Sequence, residues 1–386
     1  MQKQYTSFNL CVVSPGYPTK STIDFIFVDQ LCQAIADRGV SVSIIAPQSI
    51  SKVLIRRDSY TKEFTEIVTA QGNTIHLYRP FYVSFGAIGG RLNRMAFSKA
   101  VKKAFLNMDR KPDICYGHFW ESVFSLLPLA KRKSIPLYAS SGEDKIDIHL
   151  MLDHREIEEM KSYVSSVVSV STKNKSECIQ AGLADEPNIF VLPNSVDLHH
   201  FKPLDKIQLR SRFGIEDRNF VVSFVGQFNE RKGIDRLVKA LQMINDESIL
   251  SIFLGSGSVD PSYERVIIAD TVPHALVPSY LNCADVFILP TLNEGCSNAI
   301  IEAMACGLPI ISSDLPFNDD ILSESNSIRI DPTNIEQISN AIVELKNNRE
   351  KRLGLARGAL DTAKRLDITN RADSVIKILL SKPDDK

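Results

Sequence analysis

Along the whole chain, short runs of consecutive apolar, mostly β-branched residues alternate with longer stretches whose apolar positions recur every three to four residues. The first pattern is that of strands covered on both faces and the second that of helices burying one stripe. Their alternation predicts βα units that build parallel sheets. In the first half the strand-like runs are Phe8–Ser14, Val40–Ala46, Ile75–Tyr78, Ile114–Tyr116, Ile135–Ser140 and Ser166–Ser171. Ser21–Arg38 reads as the helix after the first run, with Ser21 or Thr22 as its cap and Gly39 ending it in the left-handed conformation. The segment Leu192–Pro203 (LPNSVDLHHFKP) breaks the alternation with two prolines and several turn formers, and predicts a linker. A second series follows it: Phe220–Val225, Leu250–Leu254, Val266–Ile268, Val286–Leu289, Pro309–Ser312 and Ile328–Ile330. The expected architecture is α/β, two doubly wound parallel sheets joined near residue 195. Ligands of such sheets sit at the carboxyl ends of the strands, which here places a site between the halves.

Composition narrows the picture without redirecting it. A chain of 386 residues suits two cores better than one. A net charge of -1 gives no global reason to expect nucleic acid as a partner, so any charged ligand must be met by a local patch. The seven cysteines (Cys11, Cys32, Cys115, Cys178, Cys283, Cys296, Cys306) are odd in number, scattered and without a C-x-x-C pair. That usage fits a reducing, cytoplasmic interior. The run Phe8–Ser14 is too short for a signal-peptide core, and no apolar stretch approaches the roughly 18–20 residues needed to cross a bilayer. The expectation is a soluble protein, at most peripheral at the inner face of a membrane.

The sharpest motif runs from Pro290 to Pro309, PTLNEGCSNAIIEAMACGLP. A strand ends at Leu289, a polar loop with Glu294 and Gly295 follows, a helix starts near Ser297, and Gly307 marks its end. Backbone N–H groups at such a helix start, aided by the macrodipole, form an anion site. Glu302 lies within an otherwise apolar helical run, where a carboxylate needs hydrogen-bond partners. The two vicinal hydroxyls of a ribose would supply them; the alternative is a Glu302 that faces solvent. A second motif, Val225–Gly226–Gln–Phe–Asn–Glu–Arg231–Lys232–Gly233, follows the first strand of the second half. Arg231 can fork onto a diphosphate and Lys232 acts as a point charge, although an exposed Arg-Lys turn is common without function.

Glu294 and Glu302, eight positions apart and followed by AMACGLP, resemble the paired-glutamate motif of family 4 retaining glycosyltransferases, which have the GT-B fold. That fold implies two Rossmann-like domains facing each other across a cleft. It implies an acceptor-side domain over 1–193, joined by a C-terminal helix over about 369–386, and a nucleotide-sugar domain over 194–368. In the family the first glutamate contacts hydroxyls of the transferred sugar and the second grips the ribose. The residues between them, here Gly295, Cys296, Ser297 and Asn298, offer amides to the diphosphate. Gly226, Arg231 and Lys232 match the stretch that stabilises the leaving nucleoside diphosphate, but Gln227 stands where many members carry arginine. The linker PNSVDLHHFKP is similar to the family's, with Ser195 where glycine is commoner. Thr271–Thr291 resembles the segment whose backbone meets the nucleotide base, around Val272 to Val277.

The first half matches less closely. Gly16, in Ser14–Pro–Gly16–Tyr–Pro18, would let the backbone approach a phosphate or sugar, or else serves a tight strand-to-helix turn. Pro112–His118 resembles the family's strand that ends in a histidine beside the transferred sugar, whereas a lone histidine by itself is more often a structural residue. The loop Ser140–Asp144 (SSGED) falls where many members carry a His-Gly pair. Between Arg91 and Lys111, seven cations stand against the single acid Asp109, interleaved with Met95, Phe97, Val101, Phe105 and Leu106. Such a basic amphipathic helix lies on anionic lipid, or packs on a core and leaves its positive face in water.

The resemblance implies an oxocarbenium-like transfer from a nucleoside-diphosphate sugar, UDP-sugar favoured, to a glycan or lipid-linked acceptor in cell-surface polysaccharide or glycoconjugate synthesis. Glu294 and His118 position the sugar while Arg231 and Lys232 assist departure. No DxD-like motif follows a strand, so neither metal nor cofactor is expected. Three alternatives stay open on the same scaffold: a nucleotide-sugar epimerase, an inverting transferase, and a non-catalytic nucleotide-sugar-binding subunit.

Overall fold

The computed structural model describes residues 5, 7–19, 22, 24–51, 61–148 and 152–381, without the side chains of 87 and 88. The chain divides into two compact units. One runs up to Leu192 and also includes the last helix, Ile368–Leu380; the other runs from Pro193 to Asp367.

The first unit holds an eight-stranded sheet in the order Ile189–Val191, Val164–Ser169, Leu137–Ser141, Ile114–His118, Asn9–Val13, Ser41–Ile45, Thr74–Tyr78, Phe64–Val68. Every pairing is parallel except that of Phe64–Val68 with Thr74–Tyr78. The continuous apolar run at the first strand is explained by what covers it. Leu10 and Val12 enter one core with Val28, Leu31, Ile35 and Val375, while Cys11 and Val13 enter the other with Phe97, Val101, Val123 and Leu126. With a side-chain period of two, both faces are apolar only if nearly every residue is. The last helix is tied in by polar contacts too. Arg38 donates Nη2 to the Thr369 carbonyl at 2.6 Å and pairs with Asp373, and Tyr138 donates its hydroxyl to the Leu379 carbonyl at 3.0 Å.

The second unit holds six strands, all parallel, in the order Val266–Asp270, Ile249–Leu254, Phe220–Val225, Val286–Leu289, Ile310–Ser313, Ser327–Ile330. Numbered along the unit this is 3-2-1-4-5-6, the order of doubly wound dinucleotide-binding sheets. The order reverses between Phe220–Val225 and Val286–Leu289, and both motifs singled out in this half are the loops that leave those two strands.

The predicted strands are present, Phe220–Val225 and Val286–Leu289 with the predicted bounds and the others with ends shifted by at most two residues. Two strands of the eight-stranded sheet have no counterpart in the predicted runs, nor does the small parallel pair Gln48–Ser49 with Phe81–Tyr82. Phe64–Val68 is an edge strand with alternating exposure, so it lacks the continuous apolar run, and Ile189–Val191 is only three residues long. The predicted cap of the first helix is corrected. Ser21 lies outside the described residues, and Thr22 donates its amide to Thr19 Oγ1 at 3.1 Å. The helix instead begins at Ile26 behind Phe25, whose φ of 61° places it in the left-handed region. Gly39 does end the helical turn with a φ of 87°. Of the helix expected over 369–386, residues 382–386 lie outside the described residues. Among the described residues no helix is long and apolar enough to cross a membrane, and all seven cysteines are buried and free.

Candidate active site

The polar centre of the second unit is assembled from the two loops at its strand-order reversal. The first loop turns at Gly233, whose φ is 79°; a β-carbon there would stand 2.3 Å from the Pro290 carbonyl oxygen of the second loop. Only glycine allows the loops to close to that distance. Buried Arg236 binds both, donating Nη1 to the Glu230 carbonyl and Nη2 to the Pro290 carbonyl, each at 2.9 Å. The Leu292 amide donates to the Arg231 carbonyl at 2.8 Å.

This stitching brings Glu294 to the two cations. Glu294 is 5% exposed, and its Oε1 accepts from Lys232 Nζ at 2.5 Å and from Thr291 Oγ1 at 2.8 Å. Arg231 Nη1 lies 3.4 Å from the same oxygen and donates to the Asn293 carbonyl at 2.6 Å. An ammonium has three donors and a carboxylate roughly four acceptor positions. The pair is therefore held in place. Gln227 Oε1 accepts from Asn229 Nδ2 at 3.0 Å. Gly226 donates its amide to the Leu254 carbonyl at 3.0 Å.

The helix of the second motif is Asn298–Ala305, with Ser297 at its cap position. The Ser297 side chain makes no capping bond, and Asn298 Oδ1 is buried with no protein partner among the described residues. The helix start is thus polar and uncapped, as an anion site requires. Just upstream, the Cys296 carbonyl accepts from Asn194 Nδ2 at 3.0 Å, which ties the linker to the loop. Glu302 is 9% exposed, so it does not face solvent. Its Oε1 meets His274 Nε2 at 2.9 Å. Burial disfavours a charge on His274, but the hydrogen bond and charge of Glu302 outweigh it and raise the ring's pKa above its ordinary value. The carboxylate also helps burial push the Cys306 thiol up to about 12. Of the two residues matched to the base-binding segment, Val277 is buried and Val272 is half-buried.

In the first unit, His118 ends its strand next to the first strand, with the Val13–Gly117 pairing one step before it. It is 2% exposed, its Nε2 has no protein partner among the described residues, and burial, helped by Arg371, lowers its pKa to about 3. The ring is neutral at physiological pH. The next residue, Phe119, has a φ of 65°. Gly16 is pressed by the Phe25 ring, which a β-carbon at 16 would meet at 2.6 Å. Glu143 is consumed structurally. It accepts from the Trp120 amide at 2.8 Å, the Gly142 amide at 2.9 Å and Ser141 Oγ at 3.0 Å, and burial raises its pKa.

The basic helix, Gly90–Leu106, separates its residues by face. Phe97, Val101 and Phe105 pack in the core and Arg94 is buried over the Phe124 ring, whereas Met95 and Leu106 are exposed. The interleaved apolar residues thus do not share one face, and exposed Leu92, absent from the predicted set, joins the outward two.

Residues 219–348 match the family model described as Glycosyl transferases group 1. They contain both loops and the helix Asn298–Ala305 that follows the second. The chain is a glycosyltransferase with a group 1 domain. The transferase is 24% identical over 336 residues to the putative teichuronic acid biosynthesis glycosyltransferase TuaC of Bacillus subtilis, covering 83% of this chain and 85% of that protein. It is 28% identical over 199 residues to the UDP-Gal:alpha-D-GlcNAc-diphosphoundecaprenol alpha-1,3-galactosyltransferase of Escherichia coli, covering 47% and 51%. Its fold is that of Anabaena Alr3699/HepE, solved in complex with UDP and glucose, with a TM-score of 0.71, 16% identity and coverage of 96% and 99%. The fold is GT-B.

His274, Arg236 and Thr291 were not singled out in the sequence. Each lies inside or beside a recognised motif, but only the folded chain shows that His274 meets Glu302 and that Arg236 joins the two loops.

Proposed function

We propose that this glycosyltransferase belongs to the retaining family 4 and acts without a metal. It moves a hexosyl unit from a nucleoside-diphosphate sugar, UDP-sugar favoured, to a glycan or lipid-linked acceptor of a cell-surface polysaccharide or glycoconjugate. The observation that carries this is the grouping of Arg231, Lys232 and Glu294 beside the start of the helix that bears Glu302. As the glycosidic bond breaks, negative charge grows on the departing diphosphate. Arg231, Lys232 and the amides of Gly295, Cys296, Ser297 and Asn298 stabilise it in place of a metal ion. Glu294 holds Lys232 and accepts from sugar hydroxyls. Glu302 accepts from the ribose, with backbone around Val272 and Val277 toward the base and Gly226 admitting the phosphate. Gly16 and neutral His118 are assigned to the sugar, His118 through a hydrogen bond rather than a charge. The leaving phosphate takes the acceptor's proton, so no protein nucleophile is assigned. The teichuronic-acid relative, the lipid-linked acceptor in the galactosyltransferase's name and the UDP and glucose held by Alr3699/HepE support the substrate classes.

The test is a panel of UDP-, GDP- and ADP-sugars scored for binding and slow donor hydrolysis, followed by transfer with the best donor. The expected product keeps the donor's anomeric configuration by NMR coupling constants, and the rate is unchanged by EDTA. An inverted product or a chelator-sensitive rate overturns the corresponding part. Glu302→Ala should weaken nucleoside-diphosphate binding about 10- to 100-fold, the loss of hydrogen bonds to a charged group, without unfolding the chain. Unchanged affinity sinks the ribose assignment.

A lipid-linked acceptor places the enzyme at the inner face of a membrane. The outward stripe of the basic helix, Leu92, Met95, Lys99, Lys102 and Leu106, supports this, since exposed apolar residues among cations suit an anionic bilayer. Sedimentation with phosphatidylglycerol vesicles but not phosphatidylcholine vesicles is expected, and Lys99→Glu with Lys102→Glu should abolish it.

A further inference from the structure

Three side chains behind Glu302 are unused by the mechanism above. His274 Nε2 lies 2.9 Å from Glu302 Oε1. Its ring is wedged by the linker: fully buried Phe201 meets it edge-on at 5.2 Å between centroids, and His200 lies at 5.8 Å with Nε2 3.5 Å from the His274 carbonyl. These two neighbouring aromatic groups restrain the His274 ring, and the ring restrains the carboxylate. A carboxylate with roughly four acceptor positions can take one imidazole N–H and still accept from two vicinal hydroxyls.

We infer that His274, clamped by His200 and Phe201, is a positioning residue that locks the Glu302 carboxylate for a vicinal diol and so gives the site its discrimination between ribose and 2′-deoxyribose. The inference rests on the ribose assignment of Glu302. A rotating carboxylate still attracts hydroxyl donors, but it does not hold both oxygens toward a diol at once. The loss of His274 therefore falls on selectivity as well as on affinity.

The experiment uses the full chain and the nucleoside diphosphate, among UDP, GDP and ADP, that binds most tightly, together with its 2′-deoxy analogue. Dissociation constants are measured for both by calorimetry. The ratio of the two constants is independent of the folded fraction, so a loss of stability in a variant does not mimic the effect. The wild type should prefer the ribonucleotide by about tenfold or more, one hydrogen bond to a charged acceptor. His274→Ala should bring the ratio within about threefold, and His274→Gln, which keeps a side-chain N–H donor, should restore most of it. Glu302→Ala is the control. If the wild type shows no ribose preference, or if Glu302→Ala keeps it, the ribose site itself fails. If Glu302→Ala loses the preference and His274→Ala retains it, the ribose site stands and the role of His274 is overturned. A ratio that His274→Gln does not restore overturns the hydrogen-bond account.

Discussion

The strand order of each unit reverses beside its first strand, and at each reversal two loops leave neighbouring strands, but the polar groups there are treated in opposite ways. In the second unit the charged groups are paired in advance, while Asn298 Oδ1 has no protein partner among the described residues. Glu294 has Lys232 and Thr291, Glu302 has His274, and Arg236 joins the two loops. In the first unit Ser14 Oγ, His118 Nε2 and Ser122 Oγ are buried without a protein partner among the described residues, and Phe119 has a positive φ. A buried polar atom without a partner costs about 1–3 kcal/mol. The second unit therefore holds its charges in a fixed geometry, and the first buries neutral polar groups.

The largest expected effect comes from taking away one preorganised charge. Lys232→Ala should lower kcat by about 10²–10³-fold with a smaller change in KM, since the ammonium acts mainly on charge that develops as the bond breaks. A pure KM effect in steady-state assays would mean that Lys232 only binds the ground state, and the contrast between the units would weaken accordingly.

Backbone preorganisation gives the next test. Gly233→Ala meets both a left-handed φ of 79° and the Pro290 carbonyl at 2.3 Å, while Gly39→Ala in the first unit meets a φ of 87° with nothing within 4 Å. The first substitution should cost about 3 kcal/mol or more, and the second about 1 kcal/mol, by denaturant unfolding. Equal losses would show that the loop contact contributes nothing beyond the dihedral angle.

The smallest effect separates two histidines by sign. The pKa of His118 is depressed to about 3 from 6.5, so the unfolded chain binds the proton first and stability falls as pH drops between those values. The pKa of His274 is raised above 6.5, so its contribution is complete below that pH and is lost as pH rises through the raised value. His118→Gln should flatten the acid-side slope of the urea midpoint and His274→Gln the slope above pH 6.5. Unchanged slopes would mean that neither ring is held as the structure places it.

Much of this was legible in the sequence because its cause is local. Strands such as Phe220–Val225 and Val286–Leu289 carry continuous apolar runs, since both faces are covered, and they were located without error. The loop-then-helix motif around Glu294 and Glu302 announced itself through one carboxylate stranded in an apolar helix. The edge strand Phe64–Val68 was illegible because one face meets water and its alternation is shared by many loops. The cap of the first helix was misplaced because Phe25 replaced a side-chain cap with a left-handed backbone. On the basic helix, the period of the apolar positions did not reveal that Met95 and Leu106 point away from the core that takes Phe97 and Val101.

By itself the sequence determined the two parallel-sheet halves, the place of the linker and the charged residue types of the candidate site, because periodicity, turn chemistry and stranded charges are written in neighbouring positions. Only the tertiary structure decided which of those charges meet. Lys232 and Glu294 are 62 positions apart, His274 and Glu302 28, and Asn194 and Cys296 102. Such pairs are set by where the strand order reverses and by how closely two loops can approach. That depends on the packing of the whole sheet rather than on any segment of it.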